Sequence, residues 1–307
     1  MAGQSQYRRF SGSCNGSCNS LHNLFTVKTV ILSLKVRNAR QQMILALPGD
    51  RHPRARSGPH KVYWLTMNTI VLPTYNEHDN LRHAVARIRE VADGHDLQLH
   101  TLIVDDDSPD GTGELADHLA AEYPDVEVLH RTGKEGLGKA YLAGFRHALD
   151  AGADLLFEMD ADLSHDASYL PHFVALVDKG ADVVLGSRYV RGGGVENWTL
   201  SRKAISRGGC LYAQTVLGLP YRDLTGGFKC FRRTVLETID LDAIGTKGYG
   251  FQIEMTYRAH KLGFNIVELP IIFVDRKVGE SKMSNDIFVE ALVNVWRLRF
   301  DRGAAHA

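Results

Sequence analysis

The sequence predicts an α/β fold: a mostly parallel sheet with helices on both faces. Three observations carry this expectation. From residue 69 onward, short apolar runs alternate with longer stretches whose apolar residues recur every three or four positions. Several of the apolar runs end in acidic or aromatic loops, and in a parallel sheet those loops share one edge. The content of 44% hydrophobic and 23% charged residues is that of a soluble globular chain long enough for a substantial core.

The elements follow in order. Residues 69–72 (Thr-Ile-Val-Leu) read as a first strand closed by Pro73, and Asp79 as the cap of a helix carrying Leu81, Val85, Ile88 and Val91 on one face. Residues 99–104 form a second strand and 126–129 a third. Between them lies a helix with Leu115, Leu119 and Ala120 inward. A helix over 138–151 leads to a central strand, 154–159. Another helix, 169–178, leads to a strand over 182–186. Beyond Arg188 the rhythm loosens. Residues 191–194 read as a flexible loop, 201–217 as a helix, 223–227 as a turn-rich loop, 248–262 as a helix and 264–274 as an extended apolar segment. The last stretch, from Ser284 to Arg302, is an amphipathic helix with Ile287, Phe288, Ala291, Leu292, Val295 and Trp296 on one face. Two placements suit it: packing on the domain, or lying in a membrane interface with its arginines toward headgroups.

Charge divides the chain. Residues 1–66 hold ten Lys/Arg and one acidic residue, Asp50, whereas the remainder holds 26 basic and 35 acidic residues. The first 66 residues show no sustained period, and their most apolar stretch, 24–36, is broken by Lys28 and Lys35 and too short to span a bilayer. They read as a basic irregular extension, with residues 67–307 as the catalytic domain. A transit peptide, a flexible extension, or read-through upstream of a true start at Met67 each fit. The last fits best, because regular structure begins immediately after Met67. Cys14 and Cys18 make a poor zinc site without further ligands, and Cys210 and Cys230 read as small buried hydrophobes.

The chemistry centres on Leu155–Asp166, where an apolar run breaks into Asp160-Ala161-Asp162. Side chains two apart on an extended strand point the same way, so both carboxylates can converge just past the strand's carboxyl end. Two convergent carboxylates suit a hard divalent cation whose shell is completed by phosphate and water, which reads as a metal-bridged nucleotide-diphosphate site. The same spacing at Asp105/Asp107 and Asp240/Asp242 shows that the pattern alone is weak. Glycine-rich GKEGLGKA (133–140) matches a phosphate loop except that Ala140 replaces the hydroxyl residue that reaches magnesium. A phosphate-loop phosphotransferase is therefore the runner-up enzyme reading. No dinucleotide fingerprint follows the first strand, which disfavours a dehydrogenase. Arg188, Arg202, Arg276 and Lys282 each read alone as surface charges. Around an acidic metal pocket they would neutralise phosphates.

In order along residues 68–300 stand LPTYNE (72–77), VDDDSPDGT (104–112), GLGKAY (136–141), MDADL (159–163), GSRY (186–189), TGGFK (225–229), GYGFQIE (248–254) and GESK (279–282). Together they resemble the dolichol-phosphate (polyprenol-phosphate) mannosyltransferases, inverting family-two glycosyltransferases with the Rossmann-like GT-A fold. The resemblance implies that mannose passes from GDP-mannose to dolichyl or polyprenyl phosphate. A UDP-glucose-dependent polyprenyl-phosphate glucosyltransferase is the alternative, and a nucleotide-sugar-binding protein without catalysis a further one. It implies that Pro73, Tyr75, Glu77, Val104 and Asp106 hold the nucleoside, and that Asp160 and Asp162, with the Ala161 backbone close by, bind Mg2+ or Mn2+. It implies also that Arg188 and Arg202 meet donor and acceptor phosphates, and that Arg276 and Lys282 lie on a loop closing over the site. Many relatives carry Gln where this chain has Ser164, so a water would replace that ligand here. Asp223 resembles a base by residue type and reads better as loop structure. Nothing in the sequence spans a bilayer. The expected placement is therefore peripheral, on the cytoplasmic side of a membrane, with a separate membrane-anchoring subunit as a candidate partner and no nucleic acid.

Overall fold

The computed structural model describes residues 67–246, 248–275 and 285–300, all within the compact unit Val62–Ala307. The expected extension, residues 1–66, lies outside the described residues, as do Arg276, Lys282, Ser284 and Arg302.

The first half alternates strictly: β1 (Met67–Thr74), α1 (His78–Gly94), β2 (Leu99–Asp105), α2 (Thr112–Glu122), β3 (Val126–His130), α3 (Leu137–Asp150) and β4 (Ala153–Glu158). A short 3-10 turn, Ala167–Tyr169, leads into α4 (Leu170–Asp178) and β5 (Val183–Ser187). Then come β6 (Gly194–Glu196), α5 (Leu200–Leu217), β7 (Lys229–Arg232), α6 (Arg233–Thr238), α7 (Tyr249–Lys261), β8 (Ile266–Pro270), β9 (Ile272–Val274) and α8 (Asn285–Phe300).

Seven strands form one sheet in the order β3-β2-β1-β4-β7-β5-β8, and β6 and β9 pair separately. The pairs β1–β2, β1–β4, β2–β3 and β5–β8 are parallel, while β7 runs antiparallel to both β4 and β5. Residues alternate across the strands, so Ile70 and Leu72 join the core under α1, α2 and α4, while Val71, Leu102 and Val104 face α3, α6 and α7. Helix α3 lies so close to the sheet that a Cβ at Gly144 would stand 2.4 Å from Val71 Cγ1. A third cluster, including Leu217, Leu224, Ile253, Val295 and Leu298, packs α5, α7 and α8 together.

Several sequence expectations shift. Residues 229–232 were not expected to form a strand, because four residues of mixed polarity carry no readable period. Their pairing on both sides comes from the flanking strands. The supposed loop at 191–194 runs into β6, and the single apolar segment 264–274 is two strands in different sheets. The cap of α1 is Glu77, and Asp79 falls in its first turn. In α8, Val295 and Leu298 are buried, but Trp296 is half exposed and stacks on Phe300 at 5.8 Å.

Candidate active site

Strand order reverses between β1 and β4: β2 and β3 lie to one side of β1, and β4 begins the other. In open α/β sheets the crevice outside the carboxyl ends at such a point is where ligands bind. The loops after β1, β2 and β3 build one end of it. Pro73 does not end β1 but lies inside it, opposite Val104, and Thr74 follows. Tyr75 presents its ring to Lys134 Nζ at 4.1 Å, a cation–π contact across two loops. Glu77 donates its N–H to Thr112 Oγ1 (3.0 Å) and accepts from Asn80 Nδ2 (2.9 Å). Asp106 is buried and paired with Arg131 Nη1. Burial pushes its carboxyl up from the usual range, against the lowering effect of Arg131. Asp105 is consumed by the loop itself, accepting from Thr74 Oγ1 (3.1 Å), Ser108 N (3.1 Å) and Ser108 Oγ (2.6 Å). The Val104 side chain is fully buried under α3, so only its main chain can serve a ligand.

The carboxylate pair sits in the middle. Strand β4 stops at Glu158, so Asp160 and Asp162 lie in the following loop and the pleat does not aim them. Local hydrogen bonds fix them instead. Asp162 Oδ1 accepts from Ser164 N (3.0 Å), a turn that carries Leu163 through φ +64°. The Asp160 N–H donates to His165 Nδ1 (3.1 Å), which leaves Nε2 as the protonated nitrogen of the neutral ring, 4.0 Å from Asp160 Oδ2. Tyr141, stacked between Phe145 and Phe251, donates its hydroxyl to Asp160 Oδ1 (3.0 Å). Burial first, then the charges of Asp160, Glu158 and Asp162, raise the Tyr141 hydroxyl well above its usual pKa. One phenol thus senses all three carboxylates and stays a donor. Below them Glu158 and Lys229, opposite each other in the β4–β7 pairing, are buried together. Desolvation moves each toward its neutral form, Glu158 up to about 7 and Lys229 down to about 8, and mutual attraction opposes it.

The basic end is built differently from expectation. Arg188, buried after β5, forms a two-pronged pair with Asp223: Nε to Oδ2 and Nη2 to Oδ1, both 2.7 Å, with its N–H also on Oδ2 (2.9 Å). Nη2 reaches Thr225 Oγ1 as well (2.9 Å), which leaves Nη1 as the end without a hydrogen bond among the described residues. Arg202 bonds Asp275 Oδ2 through Nη1 (2.7 Å) and lies 4.3 Å over the Trp198 ring, while the Arg188 guanidinium is 5.5 Å from the same ring. Phe273 connects the two ends, since its ring meets both Trp198 and His165 at 5.5 Å. A chain of ring contacts, His165 to Phe273 to Trp198, thus links the Asp160 loop with Arg188 and Arg202.

A family model, "Glycosyl transferase family 2", matches residues 69–240. The chain belongs to glycosyl transferase family 2. Among its relatives are the undecaprenyl-phosphate mannosyltransferase of Micrococcus luteus and the polyprenol monophosphomannose synthase of Mycolicibacterium smegmatis. The first is 53% identical over 227 residues, 74% of this chain and 91% of the relative; the second is 46% identical over 258 residues, 83% and 96%. The fold is GT-A-like. It matches glucosyl-3-phosphoglycerate synthase from Mycobacterium tuberculosis, solved with Mn2+, UDP-glucose and phosphoglyceric acid, at TM-score 0.55 and 18% identity, over 76% of this chain and 79% of the other.

For a family 2 glycosyltransferase the donor set fits a hard cation. Asp160 and Asp162 offer carboxylate oxygens, and Ser164 Oγ, two residues on, is buried with no hydrogen-bond partner among the described residues. Sequence reasoning missed several residues that shape this surface. Lys134 lay in the stretch discounted as a failed phosphate loop, and Arg131 two residues before it. Tyr141 and Gln252 sit inside quoted motifs and His165 two residues past one, but only tertiary contact reveals what they touch. Ala140, where a phosphate loop would carry a hydroxyl, is buried in the core.

Proposed function

We propose that the protein transfers mannose from GDP-mannose to a polyprenyl phosphate with inversion, giving polyprenyl phosphate mannose and GDP. The observation that carries this reading is the pair of relatives, one named as an undecaprenyl-phosphate mannosyltransferase and the other as a polyprenol monophosphomannose synthase, which this chain matches over nine-tenths or more of their length. Tyr75, Glu77 and Asp106 line the nucleoside end. Asp160 and Asp162 would hold Mg2+ or Mn2+, which would neutralise charge on the departing diphosphate. An acceptor phosphate monoester has its second ionisation near pH 6, so it is largely dianionic at neutral pH and needs no protein base. Its oxygen attacks the anomeric carbon as the bond from that carbon to the donor's β-phosphate oxygen breaks. A base-free reaction agrees with Asp223, whose carboxylate is engaged by Arg188 and unavailable for proton abstraction. Arg202, with Arg276 and Lys282, supplies cations for the two phosphates. Arg188 holds the 223–227 loop through Asp223 and Thr225 and offers Nη1.

The acceptor's lipid suggests a membrane surface. Among the described residues no helix is long and apolar enough to cross a bilayer. Packed together, α5 and α8 expose Leu200, Ile205, Leu211, Trp296 and Phe300 beside Lys203, Arg207, Arg297 and Arg299, a composition suited to peripheral attachment. The decisive experiment incubates the protein with radiolabelled GDP-mannose or UDP-glucose, a polyprenyl phosphate and Mg2+ or Mn2+. Label from GDP-mannose entering the lipid phase is the expected result. Label only from UDP-glucose, or none from either donor, overturns the proposal.

A further inference from the structure

The residue before the cap of α5 has no part in the transfer described above. Trp198 stands one position ahead of Thr199, whose hydroxyl oxygen accepts from the Arg202 main-chain N–H (3.3 Å). That capped turn brings the indole beside the Arg202 side chain. The guanidinium carbon lies 4.3 Å from the ring centroid, inside the roughly 6 Å over which an aromatic face attracts a cation. The Phe273 ring braces the indole in an edge-on contact, at 5.5 Å and 70°. The indole Nε1 is buried and has no hydrogen-bond partner among the described residues. The ring therefore acts through its π face and its bulk, not through its N–H.

Two guanidiniums share this ring, and they need it unequally. Arg188 is 5.5 Å away and buried, and its bonds to Asp223 and Thr225 already fix it. The Arg202 side chain is 35% exposed and makes one hydrogen bond among the described residues, Nη1 to Asp275 Oδ2. A guanidinium held at one nitrogen still turns about that bond. A flat ring against it removes this freedom before a ligand arrives. Nε and Nη2 are then presented together, the side of the fork that meets a phosphate with two parallel bonds. Arg202 lies on α5, the helix that also exposes Leu200, Ile205 and Leu211, so the phosphate nearest it is the one carried by a lipid.

We infer that Trp198 is a positioning residue for the acceptor: its ring holds the Arg202 guanidinium in the orientation that receives the lipid phosphate. This deepens the proposed function and rests on it, since Arg202 serves a phosphate there.

The test measures steady-state transfer by the full chain, Trp198→Leu, Arg202→Met and the double variant, with GDP-mannose and the polyprenyl phosphate varied in turn. Trp198→Leu is expected to raise the KM for the polyprenyl phosphate about fivefold, the loss of one partly shielded cation–π contact, with kcat and the KM for GDP-mannose within about twofold. Trp198→Phe keeps an aromatic face, deletes only an unpaired N–H, and should recover most of the loss. Because the ring acts through Arg202, Trp198→Leu should add nothing in the Arg202→Met background. A ring that merely packs, or that touches the lipid itself, gives a second, additive loss there. Trp198→Met fills the same place with an unbranched chain and keeps the question answerable if Trp198→Leu melts early. Additive losses, equal rises in both KM values, or unchanged kinetics in Trp198→Leu overturn the inference. An unchanged acceptor KM in Arg202→Met overturns it through its premise and leaves mannosyl transfer standing. If the unmodified protein instead uses UDP-glucose, the mannosyl reading fails, and the same proteins assayed with that donor still decide whether Trp198 acts through Arg202. Transfer from neither donor overturns both.

Discussion

Asp223→Asn isolates the contribution of the pair it forms with Arg188. The substitution keeps volume and removes charge, leaving an Arg188 guanidinium that is only 6% exposed facing an amide. Asp223 also accepts from the Arg188 and Gly226 main-chain N–H groups, at 2.9 and 3.1 Å, so the strand end and the turn loosen together. Breaking a buried pair from one side costs about 3–5 kcal/mol. That is a large part of a stability of about 5–15 kcal/mol. At about 2–4 °C per kcal/mol for a domain of this size, the melting temperature should fall by about 6–20 °C. Thermal unfolding followed by circular dichroism at pH 7 measures it, and the double variant Arg188→Met/Asp223→Asn, which removes the unpaired charge and keeps an oxygen acceptor for those N–H groups, should recover part of the loss. Burial pushes the Asp223 carboxyl up, but the charge and hydrogen bonds of Arg188 outweigh it and hold the carboxyl below its ordinary value of 3.8. The pair's contribution is therefore complete above that value and lost only as pH falls through the lower folded-state pKa. A drop within about 2 °C for Asp223→Asn, or a double variant no better than the single, would refute the reasoning.

Three further outcomes are expected. Asp160→Asn or Asp162→Asn should leave the melting temperature nearly unchanged but slow transfer well over tenfold, each ~1.4 kcal/mol of barrier being a factor of ten; full transfer in either variant or in EDTA counts against the metal assignment. A chain beginning at Met67 should transfer mannose at close to the full-length rate, and an insoluble or inactive product would make residues 1–66 part of the domain. Hydrogen bonds from His100 and His147 push Glu127 down to about 2, and the bond to Glu127 raises His147. A raised histidine stabilises fully below its unfolded value of 6.5 and loses that contribution as pH rises through the folded value. Glu127→Gln should therefore flatten the decline in melting temperature from pH 6 to 8.5, and an unchanged slope would exclude this pair as its source.

The sequence by itself determined the strand–helix alternation from β1 to β5, because each of those elements carries its own period and its own loop. It also singled out the strand ends proposed to bear the chemistry, since acidic and aromatic residues interrupt apolar runs at Tyr75, Asp106 and Asp160. The eight ordered motifs gave the family, as motif order survives where spacing drifts. Tertiary structure decided the rest. Strand β7 has too few residues to show a period, and β4 and β5 recruit it through their unpaired main-chain groups. Asp160 and Asp162 are aimed by a loop that Ser164 and His165 hold, and the pleat inferred from i, i+2 spacing plays no part. Arg188 and Asp223 are 35 positions apart, as Tyr141 and Asp160 are 19. A residue type announces that a charge exists, but whether it meets a ligand or another side chain depends on what folding places within about 3 Å of it.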